Sequence, residues 1–550
     1  TKRRASPSSP DNEQSPPEHT GRQRSRAACT PCRQRKRKCD GKLPCGTCQR
    51  YEYECHFSTT KRVEVGVNGN SPSTTIPSKS PLTAPGARFH HRAILDPVKT
   101  RFVRANSAIA FPRILGMDLE SDTIPRLHSF AWNTGIRPEL TEETTPITTL
   151  LTWSDWQRLS RVYFTVIWPE FSLLDESELP NLVSSRFQNP LGSNDLDAVI
   201  FGVAALGSFF SSTPHPKEKQ FTFIARKVLT QRSVNGPTTH NITGWILRTL
   251  YLRLTSRPHG SWMSSCITMH QAEASGLHKE LQTISVVYPQ VPIPDPKLQT
   301  TRRKLFHIAR ALNVILSFEY GRSRVTLDLI TTKPFPAEEG SSAHEFVALA
   351  DLLPCDSPGS ESDPPAALGT ALSRLAEGPK THSAFLMLLK ADLSFAIYRR
   401  LWLMSLTDAK DRVEVVLGLG KEALSAAREL LEMGRAWWGL IHTPFQFLCV
   451  VLAASTPRAL GYVKEVMGLL RRVGEIFETF MVKEAVRQAR ELVVMARKRK
   501  LVEVGLLEVE GVETAAEEGE VTGGEGVVVQ GLQDWGAFEW DVFLNPALVV

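Results

Sequence analysis

Between Phe89 and Lys500 apolar residues recur at helical spacing, interrupted by proline and glycine, and alternating apolar–polar runs are scarce. That period is the signature of amphipathic helices packed on one another. Asp195–Phe210 (DLDAVIFGVAALGSFF) is apolar on nearly every side, which predicts a helix in the interior. Ser261–Glu280 predicts a helix closed at Gly276, a residue suited to a left-handed cap. Two later stretches, GKEALSAARELLEMGRAWW and KEVMGLLRRVGEIFETFMVKEAVRQARELVVMARKRK, keep the same period. The bases Arg497 to Lys500 are expected to end the second of them, where cations meet the negative end of the helix dipole. Ser154-x-x-Gln157 reads as a capping box ahead of an apolar run. Phe445–Ala454 is far shorter than the ~20 residues a membrane span needs, so it reads as a buried helix. Residues 336–383, rich in Gly, Ser and Pro, read as a loop-rich insertion. The expected fold class is mostly α, with a large all-helical domain over residues 89–500.

The flanks differ in composition. Residues 1–26 form a basic, Pro/Ser-rich arm expected to be disordered. Residues 58–88 form a flexible linker rich in Ser, Thr, Pro and Gly. No leucine heptad runs through that linker, so dimerisation through a zipper there is not indicated, and a homodimer would have to form through the helical domain. The chain has 550 residues, 42% hydrophobic and 22% charged, ordinary values for globular protein. The net charge of +7 is unevenly placed. Between Arg22 and Arg62 stand twelve Lys or Arg and three acids; from Leu501 to Val550 stand eleven acids and no Lys or Arg. A basic head suggests a polyanionic partner. The first residues lack the apolar stretch of a secretory leader. The chain begins at Thr1 rather than at methionine, as expected of a processed chain or a fragment.

Six of the nine cysteines lie close together, as Cys29-x2-Cys32-x6-Cys39-x5-Cys45-x2-Cys48-x6-Cys55. The spacing is nearly a doubled unit. Clustered thiolates of this kind favour zinc in tetrahedral sites. Two separate four-cysteine sites would need eight ligands, so six serve two zincs only if two thiolates bridge. Disulfides would suit a small secreted scaffold, but this chain is long, lacks a leader and carries basic runs. A knuckle or ring-like site would mix in histidine or use other spacings. Six thiolates and two zincs leave the cluster itself negative, so the surrounding Arg and Lys must attract any polyanion. A segment this small cannot fold by core burial alone. The metal is expected to supply the folding energy.

Arg33 to Lys38 follow the second cysteine directly, and a short helix held by Cys32 and Cys39 is expected there. Arg33, Arg35, Lys36, Arg37 and Lys38 would fan around it. Some meet phosphates, giving affinity and salt dependence; others reach base edges, giving sequence choice. Lys or Arg on guanine O6 and N7 is the commonest specific pairing. Lys2-Arg3-Arg4 and Arg22, Arg24 and Arg26 read as import signals or phosphate arms.

The CRQRKRKCD phrase and Pro44 before the fourth cysteine make residues 27–57 resemble the fungal binuclear zinc cluster, the DNA-binding module of the galactose-regulator type. The resemblance implies that Cys29 and Cys45 bridge two zinc ions, that Cys32 and Cys39 complete one, and that Cys48 and Cys55 complete the other. It implies that Lys36, with Arg35 beside it, reads a CGG-like triplet, and that Arg33, Arg37, Lys38 and Lys42 hold phosphates. VYFTVIWPEFSLLD, DLDAVIFGVAALGSFF, SWMSSCITMHQAEASGLHKE and RRKLFHIARALNVILSFEYGRSRVTLD occur in the order of the fungal transcription-factor regulatory domain, over about residues 160–335.

Elsewhere the residues read as structural. Trp262, Met269, His270 and Leu277 read as core, and Cys266, Cys355 and Cys449 as small buried hydrophobes. His90-His91 has no third metal ligand nearby. No G-x-S-x-G elbow, H-E-x-x-H or phosphate loop occurs, so catalysis is not expected. In the acidic tail, residues 501–550, Trp535, Phe538, Trp540 and Phe543 stand among Asp534, Glu539 and Asp541. That interleaving suggests an activation segment that offers its aromatics to a coactivator groove; the other reading is docking on the chain's own helices. The expected function is a nuclear, sequence-specific DNA-binding regulator of RNA polymerase II genes, with activation the expected sign. The alternative is a repressor or interaction module that binds nucleic acid without strong sequence selection.

Overall fold

The computed structural model describes residues 28–34, 38–43, 45–50, 55, 93–96, 101–104, 107, 146–192, 194–233, 237–255, 258–280, 295–354, 364–378, 381, 383–404 and 412–506. Among them, helices dominate. Two short ones, α1 (Thr30–Gln34) and α2 (Gly46–Arg50), carry the cysteine-rich segment. A hairpin follows, β1 (Ala93–Asp96) paired antiparallel with β2 (Arg101–Arg104). Ile94 is buried and Phe102 sets its ring edge-on to His278 at 5.0 Å. These strands were not foreseen, because each offers only four residues of alternation.

The helical body begins with α3 (Trp153–Val166), α4 (Trp168–Phe171), α5 (Leu179–Gln188), α6 (Asp195–Phe209) and α7 (Glu218–Ser233). It continues with α8 (Thr239–Thr255), α9 (Pro258–Ala274) and α10 (Pro296–Glu319). The cap of α3 is Thr152, whose hydroxyl accepts from the Asp155 N–H at 3.1 Å and donates to its carboxylate at 2.6 Å. The expected Ser154/Gln157 box therefore lies inside the helix: Thr152 is extended and starts the same Thr-x-x-acid pattern two residues earlier. Helix α9 closes as expected, with Gly276 at φ 71° and the Leu277 N–H returning to the Ala272 carbonyl at 2.9 Å. Met269 and Leu277 are core, but His270 faces solvent.

Helix α6 is buried on almost all sides, as its composition demands, with α3, α7 and α8 packed around it. A Cβ added at Gly207 would stand 2.1 Å from the Leu159 carbonyl oxygen, so α3 and α6 meet backbone to backbone. The entry to α6 is a capping box of Asn194 and Asp197. Asp197 also holds the buried Arg186 in a two-point ion pair, at 2.6 Å from Nε and 2.9 Å from Nη2, while Nη2 also donates to the Gly192 carbonyl at 2.6 Å and Nη1 to the Leu191 carbonyl at 3.2 Å.

A second set of helices follows: α11 (Ala343–Asp351), α12 (Pro364–Glu377), α13 (Ala384–Leu403), α14 (Val413–Glu432), α15 (Gly439–Ala454) and α16 (Val463–Ile476). Two of them, α11 and α12, lie within residues 336–383, the expected loop-rich insertion. Their short apolar faces, Phe346, Val347 and Ala350 in one and Leu368, Leu372 and Leu375 in the other, are enough to pack them on the core. Helix α13 is the interior helix of this set, with α14 and α15 against it. It also meets α10, which joins the two sets. A buried polar group sits among these helices. Arg253 pairs with Glu319, His442 lies 3.2 Å from Glu319, and Thr443 donates to Asp392 at 2.9 Å. Burial pushes Asp392 well above the carboxylate range and His442 down to about 4. No described helix is long and apolar enough to cross a membrane.

The last of the described helices, α17 (Phe480–Gly505), packs Val486 and Ala489 on the core. The chain divides at Val493/Val494 into two units. In the second, Arg499 and Lys500 pair with Glu503, and the helix runs on past them. The basic cluster is therefore inside the helix rather than at its end, because Glu503 one turn on continues it.

Candidate metal centre and basic surface

Each CxxC begins just ahead of or within one turn of helix. Pro31 suits the first turn of α1, since a proline there sacrifices no intrahelical bond. The helix starts at Thr30 rather than at Arg33, and Lys38, Cys39 and Asp40 are not helical. Arg33 and Gln34 belong to this helix, and Arg35, Lys36 and Arg37, the middle of the expected basic helix, lie outside the described residues. Gly41 turns the chain at φ 77°, a conformation that favours glycine.

The sulfur atoms of Cys29, Cys32, Cys45 and Cys48 all lie within 4.8 Å of one another, and all four residues are buried. Individual separations are 3.7 Å for Cys29–Cys45, 3.4 Å for Cys29–Cys48, 3.5 Å for Cys32–Cys45 and 3.9 Å for Cys32–Cys48. None is a disulfide. Two sulfurs that share a zinc at bonds of about 2.3 Å stand roughly 3.8 Å apart, close to the Cys29–Cys45, Cys29–Cys48 and Cys32–Cys45 separations. Cys39 lies with Asp40 beside Cys45.

The doubled sequence unit reappears in the backbone. The Cys29 N–H points to the Cys39 sulfur at 3.5 Å, and the Cys45 N–H points to the Cys55 sulfur at 3.2 Å. Cys29 and Cys45 therefore hold equivalent places, each facing the third cysteine of its own half.

Asp40 was not singled out from the sequence, although it closes the CRQRKRKCD phrase. Its carboxylate accepts from the Lys42 N–H at 3.1 Å and the Gly46 N–H at 2.8 Å, and these bonds hold its pKa below the usual value. Thr47 donates to the Lys38 carbonyl at 2.6 Å. Together they tie the loop that bears Lys38 and Lys42 to the start of α2. Both lysines are exposed. A Cβ at Gly46 would stand 3.0 Å from the Asp40 carboxylate, so a larger residue there would press on the tie. Arg33 lies on α1. Arg35, Lys36 and Arg37, and the tail residues Trp535, Phe538, Trp540 and Phe543, lie outside the described residues, as do His90, His91 and Cys355. Cys266 and Cys449 are half-buried.

Crowding sets the protonation of the thiols. Burial raises Cys29 and Cys48 and pushes Cys32 up to about 12. Burial also raises Cys45, but the Cys48 N–H and the neighbouring thiols outweigh it and lower Cys45 to about 6. Metal takes thiolates, so groups with raised values must release protons as it enters. Affinity is present above neutral pH and is lost as pH falls. Zinc affinity is expected to drop more than tenfold per unit between about pH 8 and pH 6, with protons released on binding. A competition titration against a chromophoric chelator checks this; a flat profile would contradict it.

Residues 27–63 match the profile of the fungal Zn(2)-Cys(6) binuclear cluster domain. Over 513 residues the chain is 39% identical to Protein RDR1 of Saccharomyces cerevisiae, a match covering 88% of this chain and 92% of the yeast protein. It is 35% identical to Transcription factor kojR of Aspergillus oryzae over 494 residues, 88% of this chain and 86% of that one. A more distant relative is Probable transcriptional repressor C1348.12 of Schizosaccharomyces pombe, 25% identical over 75% of this chain and 93% of its own. No solved structure matches.

Proposed function

Because the chain belongs to the fungal binuclear zinc-cluster family of transcription factors, DNA-binding regulators whose module takes two zinc ions, we propose a specific division of labour among its residues. Cys29 and Cys45 bridge the two zincs; Cys32 and Cys39 complete one site, and Cys48 and Cys55 the other. The matching N–H contacts of Cys29 and Cys45 carry this reading, since bridging ligands should occupy equivalent places. Residues 27–57 form the module, residues 58–88 the linker, and residues 89–500 the regulatory body.

Lys36, assisted by Arg35, reads a CGG-like triplet in the major groove. Arg33, Arg37, Lys38 and Lys42 hold phosphates; the tie of Asp40 and Thr47 to α2 supports that role for the two lysines. The protein works in the nucleus without catalysing a reaction. Its acidic tail engages a coactivator, and the helical body forms a homodimer. Activation is the favoured sign. The name of the fission-yeast relative favours repression as the second reading, which a reporter assay with and without residues 501–550 would separate.

The direct test is Lys36→Ala. Binding to a CGG-containing duplex is expected to weaken by about 1–3 kcal/mol while binding to a scrambled duplex changes little, so that the two converge. Equal weakening on both duplexes would make Lys36 a phosphate contact and favour nucleic-acid binding without sequence selection.

A further inference from the structure

A cleft of about 650 Å³ opens between the α4–α5 loop and the first turns of α8 and α10. That size suits a small organic molecule. One wall is apolar, built from Trp168, Leu174, Leu179 and Leu305. Leu182 and Leu298 also line it and remain 45% and 39% exposed.

The charged groups of the cleft are unequal. Asp175, Glu176, Glu178, Asp295 and Glu338 face it against only Lys297 and Lys304, leaving three carboxylates in excess. His240 adds no charge, since burial lowers its pKa. Both ammonium groups are already engaged. Lys297 bonds Asp175 at 2.7 Å and also pairs with Glu178; Lys304 pairs with Glu338 and donates to the Ser172 carbonyl at 3.0 Å. An incoming anion would have to break these pairs. An incoming cation would meet Glu176, for which no ion pair is seen among the described residues.

Ser172, also in the lining, supplies an independent sign. It is 1% exposed, its hydroxyl has no hydrogen-bond partner among the described residues, and it holds φ 38° without being glycine. A buried unpaired hydroxyl and a strained backbone are both costly, and such costs collect where a ligand completes the site.

We propose that this cleft binds a small organic cation with an apolar body, as an effector site in the regulatory domain. The ammonium or phosphonium centre sits among the carboxylates, and the body lies against Trp168 and the leucines.

The test uses the full zinc-loaded chain and two probes of equal shape and opposite charge, tetraphenylphosphonium and tetraphenylborate, in isothermal titration calorimetry. Tetraphenylphosphonium is expected to bind one site, at least about tenfold tighter than tetraphenylborate. The double variant Glu176→Lys with Glu178→Lys, both exposed positions, is expected to weaken the cation about tenfold or more with helix content unchanged. Leu298→Trp, which fills the cleft, is expected to abolish binding. The proposal is overturned if tetraphenylborate binds as tightly, if neither probe binds, or if the folded variants keep the affinity of the parent chain.

Discussion

Removing zinc is expected to unfold residues 27–57 and abolish DNA binding while leaving the helical body folded. The buried apolar residues of the module are its own cysteines, with no leucine, isoleucine or aromatic among the described ones. Among the described residues, then, only the metal can offset the entropy of ordering the segment. A structural zinc contributes on the order of 10–16 kcal/mol in peptides, as much as the whole stability of an ordinary domain. The body has a separate continuous core running from Ile147 to Ala489. With a strong chelator, DNA affinity should therefore vanish while most of the helical circular dichroism and the body's melting transition persist. Re-adding zinc under reducing conditions should restore binding. A module that kept its protection from proteolysis after chelation would refute this account of its stability.

The second large effect is expected of Arg186→Ala. Arg186 and Asp197 are both buried, and the pair is two-pointed. Taking away one partner leaves the other charge out of water and unpaired, which typically costs about 3–5 kcal/mol. The pair adds specificity of place, because Asp197 also closes the capping box at the start of α6, and the Arg186 guanidinium gathers the carbonyls of Leu191 and Gly192. The matched apolar replacement, Arg186→Met with Asp197→Leu, should be less damaging than the single change. It removes both charges and forfeits mainly the cap, worth about 0.5–2 kcal/mol. Urea unfolding followed by tryptophan fluorescence compares them, and an Arg186→Ala chain as stable as the parent would contradict the argument.

Much of this was legible in the chain. The interior helix at Asp195–Phe210 announces itself because apolar residues occupy every face, and Gly276 ends its helix because only glycine takes that φ without strain. The cysteine spacing by itself points to a metal. What stayed hidden were effects decided between distant or very short segments. Four-residue strands carry too little alternation to stand out, and α11 and α12 hide among Gly, Ser and Pro because a few buried residues suffice once a core exists to receive them. The part played by Asp40 depends on Gly46 coming within hydrogen-bond reach, and no local pattern shows that. Thr152 displaced Ser154 as the cap of α3 because the preceding backbone is extended.

The sulfurs that suit zinc so well, 3.4–3.9 Å apart, have a further consequence once the cation is gone. Thiols so near one another need only a small shift to form a disulfide once a two-electron oxidant such as a peroxide has turned one of them into a sulfenic acid, which a neighbouring thiol then attacks with loss of water. Loss of metal and loss of reducing power would then reinforce each other, so that a regulator stripped under oxidative stress is locked out of service until a reductant reopens it.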